Sequence, residues 1–140
     1  MKKDILNTII VLFFLTSCIK DNSSSIPYVP VNLIIYVSDP SFINLNPIGG
    51  WIYYNGGSRG LIIFRKSPDE FAVYDRHCTY QPEKPCGRIV VDSTNSFLAV
   101  DTCCSSRFLL IDGSVNRGPA TLPLKRYNSN FDGNRLSIYN

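Results

Sequence analysis

The chain has 140 residues, with 14 Lys and Arg against 11 Asp and Glu, a formal net charge of +3 and one histidine. The basic residues are scattered and form no stripe, which excludes a nucleic-acid surface. The length left after a leader and a tether holds one hydrophobic core, not two.

In chain order, Met1-Lys2-Lys3 is a short positive segment and Ile5 to Leu15 an apolar run broken by Asn7 and Thr8. A membrane-spanning helix needs roughly 20 apolar residues, so this run is too short to span and reads as a secretion signal over residues 1–17. It ends in Leu15-Thr16-Ser17-Cys18. That order resembles a bacterial lipobox, which makes Cys18 the lipidated first residue of the mature protein. Several acyl chains on one cysteine give a permanent anchor, because each buried methylene contributes about 0.8 kcal/mol. Ile19-Lys20-Asp21-Asn22 resembles, with a single acid, the surface-export signal of Bacteroidetes lipoproteins. Residues 18–30 read as the lipidated end and a polar tether closed by Pro27 and Pro30. The expected address is the bacterial cell envelope, lipid-anchored at the outer membrane on its periplasmic or surface face.

Residues 31–140 carry Gly and Pro at short intervals, with Tyr, Phe, Val and Ile between them, an all-β composition. Strands are expected over Val31 to Val37, Trp51 to Tyr54, Leu61 to Arg65, Phe71 to Asp75, Arg88 to Asp92, Phe97 to Val100, Phe108 to Ile111, Leu124 to Tyr127 and Arg135 to Tyr139. Asn55-Gly56-Gly57 is a strong turn signal. Leu61 to Arg65 is an apolar run and predicts a strand buried on both faces. Trp51 and Tyr53 should share one face and Tyr54 take the other. No stretch of ten or more residues after the leader has helical periodicity. Many short strands at even spacing argue for a sandwich or a barrel.

Catalytic signals are sparse. There is no P-loop, no Gly-x-Gly-x-x-Gly and no His-Glu-x-x-His. Asp69-Glu70 follows Pro68 and reads as an exposed turn rather than an acid–base pair. His77 sits beside Cys78, but sequence adjacency is not the geometry of a nucleophile and its base; it is expected as a surface residue at the mouth of a loop. The protein is therefore expected not to be an enzyme.

The cysteines carry more information. With Cys18 committed to lipid, Cys78, Cys86, Cys103 and Cys104 remain. An exported chain meets an oxidising compartment, so an even set points to disulfides. Four cysteines allow three pairings, and a bond between the neighbours Cys103 and Cys104 would be strained. Two arrangements remain, each joining the 78–86 loop to the 103–104 loop. Zinc held by all four cysteines is an alternative, made awkward by the adjacent pair.

The stretch Asp101-Thr102-Cys103-Cys104-Ser105-Ser106-Arg107-Phe108, then Asp112-Gly113 and Gly118-Pro119-Ala120 with Pro123-Leu124, resembles the second cluster-binding loop and C-terminal strand of a Rieske domain. That family holds a [2Fe–2S] cluster with two Cys and two His, from a Cys-x-His loop and a Cys-x-x-His loop. Many members add a disulfide between the loops. The resemblance covers about Asn32 to Ile138 and is strongest from Phe71 to Tyr127. It implies an all-β, Rieske-like antiparallel β-sandwich with a two-loop subdomain from about Asp75 to Arg117. It places Cys78, Tyr80, Asp101 and Cys104 on the four ligand positions, so three of the four depart from the pattern. It implies Cys86–Cys103 as the clamp, which leaves Cys78–Cys104 as a second bond. The function this implies is a non-enzymatic envelope lipoprotein with a degenerate cluster site, no cofactor and a structural or protein-binding role. The alternative is an electron-transfer protein using a [2Fe–2S] cluster, another metal, or a reactive disulfide at Cys103/Cys104.

Overall fold

The computed structural model describes residues 25–140; the leader, Cys18 and the first part of the tether lie outside the described residues. Ten strands follow in order: β1 (Asn32–Tyr36), β2 (Trp51–Tyr54), β3 (Leu61–Arg65), β4 (Phe71–Asp75), β5 (Ile89–Val91), β6 (Leu98–Asp101), β7 (Arg107–Leu109), β8 (Val115–Arg117), β9 (Arg126–Phe131) and β10 (Arg135–Tyr139). A six-stranded sheet has the order β1-β10-β9-β4-β3-β2 and a four-stranded sheet the order β5-β6-β7-β8, with every pairing antiparallel. Among the described residues no helix is long and apolar enough to cross a membrane.

The expected strands all form, most within a residue of their expected ends. Three features differ from the sequence reading. Pro40–Leu45 is a 3₁₀ turn, started by Asp39, whose carboxylate accepts from the Ser41 N–H at 2.8 Å. Val115–Arg117 is an additional edge strand bonded only to β7. Strand β9 starts at Arg126 and continues to Phe131, where the expected strand ends at Tyr127.

Strands β3 and β4 form a central layer, and the alternation of side chains explains why both are apolar up to their last residues, Arg65 and Asp75. Leu61, Ile63, Phe71 and Val73 face one core with Ile35, Leu45, Tyr127, Leu136 and Ile138. Ile62, Phe64, Ala72 and Tyr74 face a second core with Ile89, Val91, Ala99, Phe108, Leu110, Ala120 and Leu124, so the domain holds two cores, one on each side of this layer, where its length led to the expectation of one. The large sheet curls so that β1, β10 and β9 cover one face of this layer, while the small sheet covers the other. The curl occurs where β9 meets β4 through only two residue pairs, Val73 with Tyr127 and Tyr74 with Arg126. Each large apolar side chain buried in this way contributes about 1.5–3 kcal/mol. As expected, Trp51 and Tyr53 share a face, their ring centroids 4.8 Å apart, while Tyr54 packs near Phe42 on the other side.

One core residue is poorly matched to its surroundings. Tyr74 is fully buried and its hydroxyl has no partner among the described residues. Burial pushes its phenol up to about 12. A desolvated, unpaired hydroxyl costs about 1–3 kcal/mol, so Tyr74→Phe should leave stability unchanged or raise it by about 1 kcal/mol. Urea unfolding of the two proteins checks this; a clear loss of stability would show that the hydroxyl has a partner.

Candidate functional site

Two loops are joined beside the small sheet, one leading into it from the large sheet and one within it. The first, between β4 and β5, carries Cys78, Tyr80 and Cys86; the second, between β6 and β7, carries Cys103 and Cys104. The neck of the first loop is closed by an antiparallel bridge between His77 and Arg88 and by Cys78 N–H to Gly87 O at 3.3 Å. Its outer turn is gathered by Arg59, whose guanidinium donates to the carbonyls of Pro82 and Gly87. The second loop turns tightly because the Asp101 carboxylate accepts from the N–H groups of Cys103 (2.7 Å) and Cys104 (2.9 Å) through the same oxygen, Oδ1. Ser105 takes the left-handed conformation that completes the turn, at φ +62°.

The clamp between the loops is present. Cys86 and Cys103 form a disulfide, with Cα atoms 5.3 Å apart, and Thr102 Oγ1 adds a hydrogen bond to Cys86 O at 2.8 Å. The cross-link closes a loop of sequence separation 17, for which chain entropy gives about 3 kcal/mol. Cys86→Ser should therefore lower the unfolding free energy by about 2–4 kcal/mol. An unchanged denaturation midpoint would show that the bond adds nothing. This disulfide also removes two sulfurs from the four-cysteine zinc set and leaves no reactive bond between Cys103 and Cys104.

The second expected disulfide is not formed: Cys78 and Cys104 are free thiols. Their sulfurs and a carboxylate oxygen of Asp101 all lie within 4.8 Å of one another. Each sulfur has a hydrogen-bond partner of its own, Cys104 with Ser106 Oγ at 3.1 Å and Cys78 with the N–H of Gln81 at 3.3 Å. Cys78 and Asp101 are each 1% exposed, and Cys104 is half-buried. Burial, together with the adjacent Asp101 carboxyl, pushes the Cys78 thiol up to about 11. It is therefore protonated at neutral pH and slow as a nucleophile. Asp101 Oδ2 is buried without a hydrogen-bond partner among the described residues. Of the four ligand positions assigned from the sequence, the structure brings three together. The fourth, Tyr80, is 44% exposed.

His77 differs from its expected place on the surface. It is buried, with Nδ1 2.8 Å from Ser58 Oγ and Nε2 2.7 Å from Pro82 O. The Pro82 carbonyl can only accept, so Nε2 carries a proton. Both ring nitrogens are thereby occupied in pinning the β2–β3 loop to the first tip loop. The imidazole faces Ser58, while the thiol of the next residue, Cys78, lies with Asp101 and Cys104.

The sequence reading did not identify Asp75 as functional. It is fully buried and accepts from the N–H of Ser58 (2.7 Å), Arg59 (3.2 Å) and His77 (3.0 Å), and from the Tyr127 hydroxyl (2.8 Å). Gly57 permits this approach: its φ is +61°, and a Cβ there would lie 2.5 Å from Asp75 Oδ2 and 2.7 Å from the Tyr127 oxygen. Asp75 thus joins the β2–β3 loop, the neck of the first tip loop and β9. A lone acid ending the apolar strand Phe71-Ala72-Val73-Tyr74 was the available signal.

The strand order, the two tip loops and their clamp define a Rieske-like β fold. Among solved structures, the ferredoxin of carbazole 1,9a-dioxygenase from Nocardioides aromaticivorans IC177 is similar, with a TM-score of 0.51, 16% sequence identity, and coverage of 79% of this chain and 97% of that one. No protein-family model and no curated protein matches the chain. At this identity the likeness shows the fold alone. The ligand positions do not fit a cluster held by two Cys and two His. They offer two thiols and a hard carboxylate, and the chain's one imidazole is committed to Ser58 and Pro82.

Proposed function

We propose that the protein is a non-enzymatic, lipid-anchored component of the bacterial cell envelope, with its Rieske-like domain serving a structural or protein-binding role. In this reading Cys18 carries the anchor and residues 18–30 are the tether. The Cys86–Cys103 bond ties the two tip loops together, the task a cluster performs in the family it resembles. The observation that carries the reading is the position of His77, buried behind the first loop with both nitrogens bonded. That leaves the ligand positions without an imidazole.

The test uses the full chain expressed in a Gram-negative host. The wild type should fractionate with membranes, and Cys18→Ala should move to the soluble fraction. Detergent-extracted protein should be colourless and free of iron and acid-labile sulfide. Visible absorbance with stoichiometric iron and sulfide would establish the electron-transfer reading instead. Retention of Cys18→Ala in the membranes would remove the lipid anchor from the account.

A further inference from the structure

We propose that Cys78, Asp101 and Cys104 bind a single Zn²⁺ ion, a use of the tip that goes beyond the structural reading and rests on its premise that no two-iron cluster fills it. Three donors within 4.8 Å of one another suit one metal centre. Zinc takes thiolate sulfur at about 2.3 Å and carboxylate oxygen at about 2.0–2.2 Å, which sets tetrahedral donors about 4 Å apart. Closing the present group onto an ion needs side-chain shifts of under about 1 Å on this geometry.

The second observation is the carboxylate. Asp101 is 1% exposed; its Oδ1 is taken by two backbone N–H groups and its Oδ2 has no partner among the described residues. An ion held between the two sulfurs would satisfy that oxygen. Both sulfurs are already oriented by groups suited to support coordinated thiolates. Ser106 Oγ accepts from Ala120 N–H at 2.8 Å, so its own proton is free for Cys104 Sγ, and the N–H of Gln81 donates to Cys78 Sγ. The half-buried Cys104 leaves the fourth position open to water or an incoming ligand. The donor set also selects the metal: two thiolates disfavour Mg²⁺ and Ca²⁺, the carboxylate disfavours Cu⁺, and Zn²⁺ accepts both. On binding, the two thiols each release a proton to solvent and no electrons are transferred.

The full chain, extracted in detergent without reductant, is loaded with Zn²⁺, dialysed and analysed by native mass spectrometry, with Co²⁺ as a spectroscopic substitute. The expected result is one Zn²⁺ and one disulfide per chain, and a Co²⁺ spectrum with sulfur-to-metal charge-transfer bands. Cys104→Ser, which keeps the side-chain shape, and Asp101→Asn, which keeps an oxygen for the loop, should each weaken Zn²⁺ binding at least tenfold. Cys104→Ser should leave the metal-free melting temperature unchanged, so that its loss of binding is not a loss of fold. A metal-free chain with two thiols, or with a second disulfide at Cys78–Cys104, would overturn the site and leave the proposed function standing. Iron with labile sulfide would overturn both.

Discussion

Asp75→Ala should lower the unfolding free energy by about 3–5 kcal/mol, because it removes the shared acceptor of several buried donors, each costing about 1–3 kcal/mol when unpaired. The carboxylate is fully buried and receives four donors, three from the backbone and one from Tyr127. Its loss leaves these donors, drawn from three segments, without their shared acceptor. For a domain of this size the melting temperature should fall by roughly 10–25 °C. Tyr127→Phe removes only one of the four bonds and should cost about 1.5–3 kcal/mol. Burial and the neighbouring Asp75 hold the Tyr127 phenol well above its ordinary range, so this bond persists across the working pH of any such assay. In a double-mutant cycle the two changes should couple strongly, because they share an interaction. A loss below about 1 kcal/mol for Asp75→Ala would mean that the carboxylate does not join these segments.

The second large effect is expected at Phe64. Phe64→Ala should cost about 3–5 kcal/mol, from lost burial and the cavity left behind. Phe64 is fully buried on the face of β3 that meets the small sheet, in one cluster with Ile89, Phe108 and Leu110 and edge-on to Phe97 at 5.5 Å between centroids. The substitution therefore tests whether the tip-bearing sheet is packed on the central layer. Leu122→Ala is the control: Leu122 is 61% exposed, and its loss should change stability by less than about 0.5 kcal/mol. Equal effects at the two positions, read from urea midpoints, would contradict the second core.

The strands were legible because the sequence alternates with clear turn chemistry between apolar runs. Leu61 to Phe64 announced burial on both faces by its unbroken hydrophobicity. Val115-Asn116-Arg117 gave no such signal, since an edge strand with two exposed residues has no apolar pattern to show. Beyond Tyr127, β9 reads as polar, because of its last four residues only Ser129 and Phe131 are shielded. At the tip, Cys86–Cys103 was reached through resemblance to a known loop pair, not from spacing. The meeting of Cys78, Asp101 and Cys104 was reached through the same resemblance, but the second disulfide expected from it, Cys78–Cys104, is absent. The burial of His77 depends on Ser58 and Pro82, which lie 19 and 5 residues away. Asp75 is similar: its four donors come from three separate segments, and one acid at a strand end does not reveal them.

The pairing of β1 with β10 has a consequence for how the chain matures. Five residue pairs, from Asn32 with Tyr139 to Tyr36 with Arg135, join the first strand to the last. Ile35 and Val37 therefore find Leu136 and Ile138 only after nearly the whole domain has been synthesised. Contacts this distant in sequence form slowly, because a long loop must close before they give any return. A nascent chain still lacking residues 135–140 has no partner for β1 and exposes a strand edge beside an apolar face. Such a species is prone to associate with other chains. The six-stranded sheet should thus be completed only once residues 135–140 have been made.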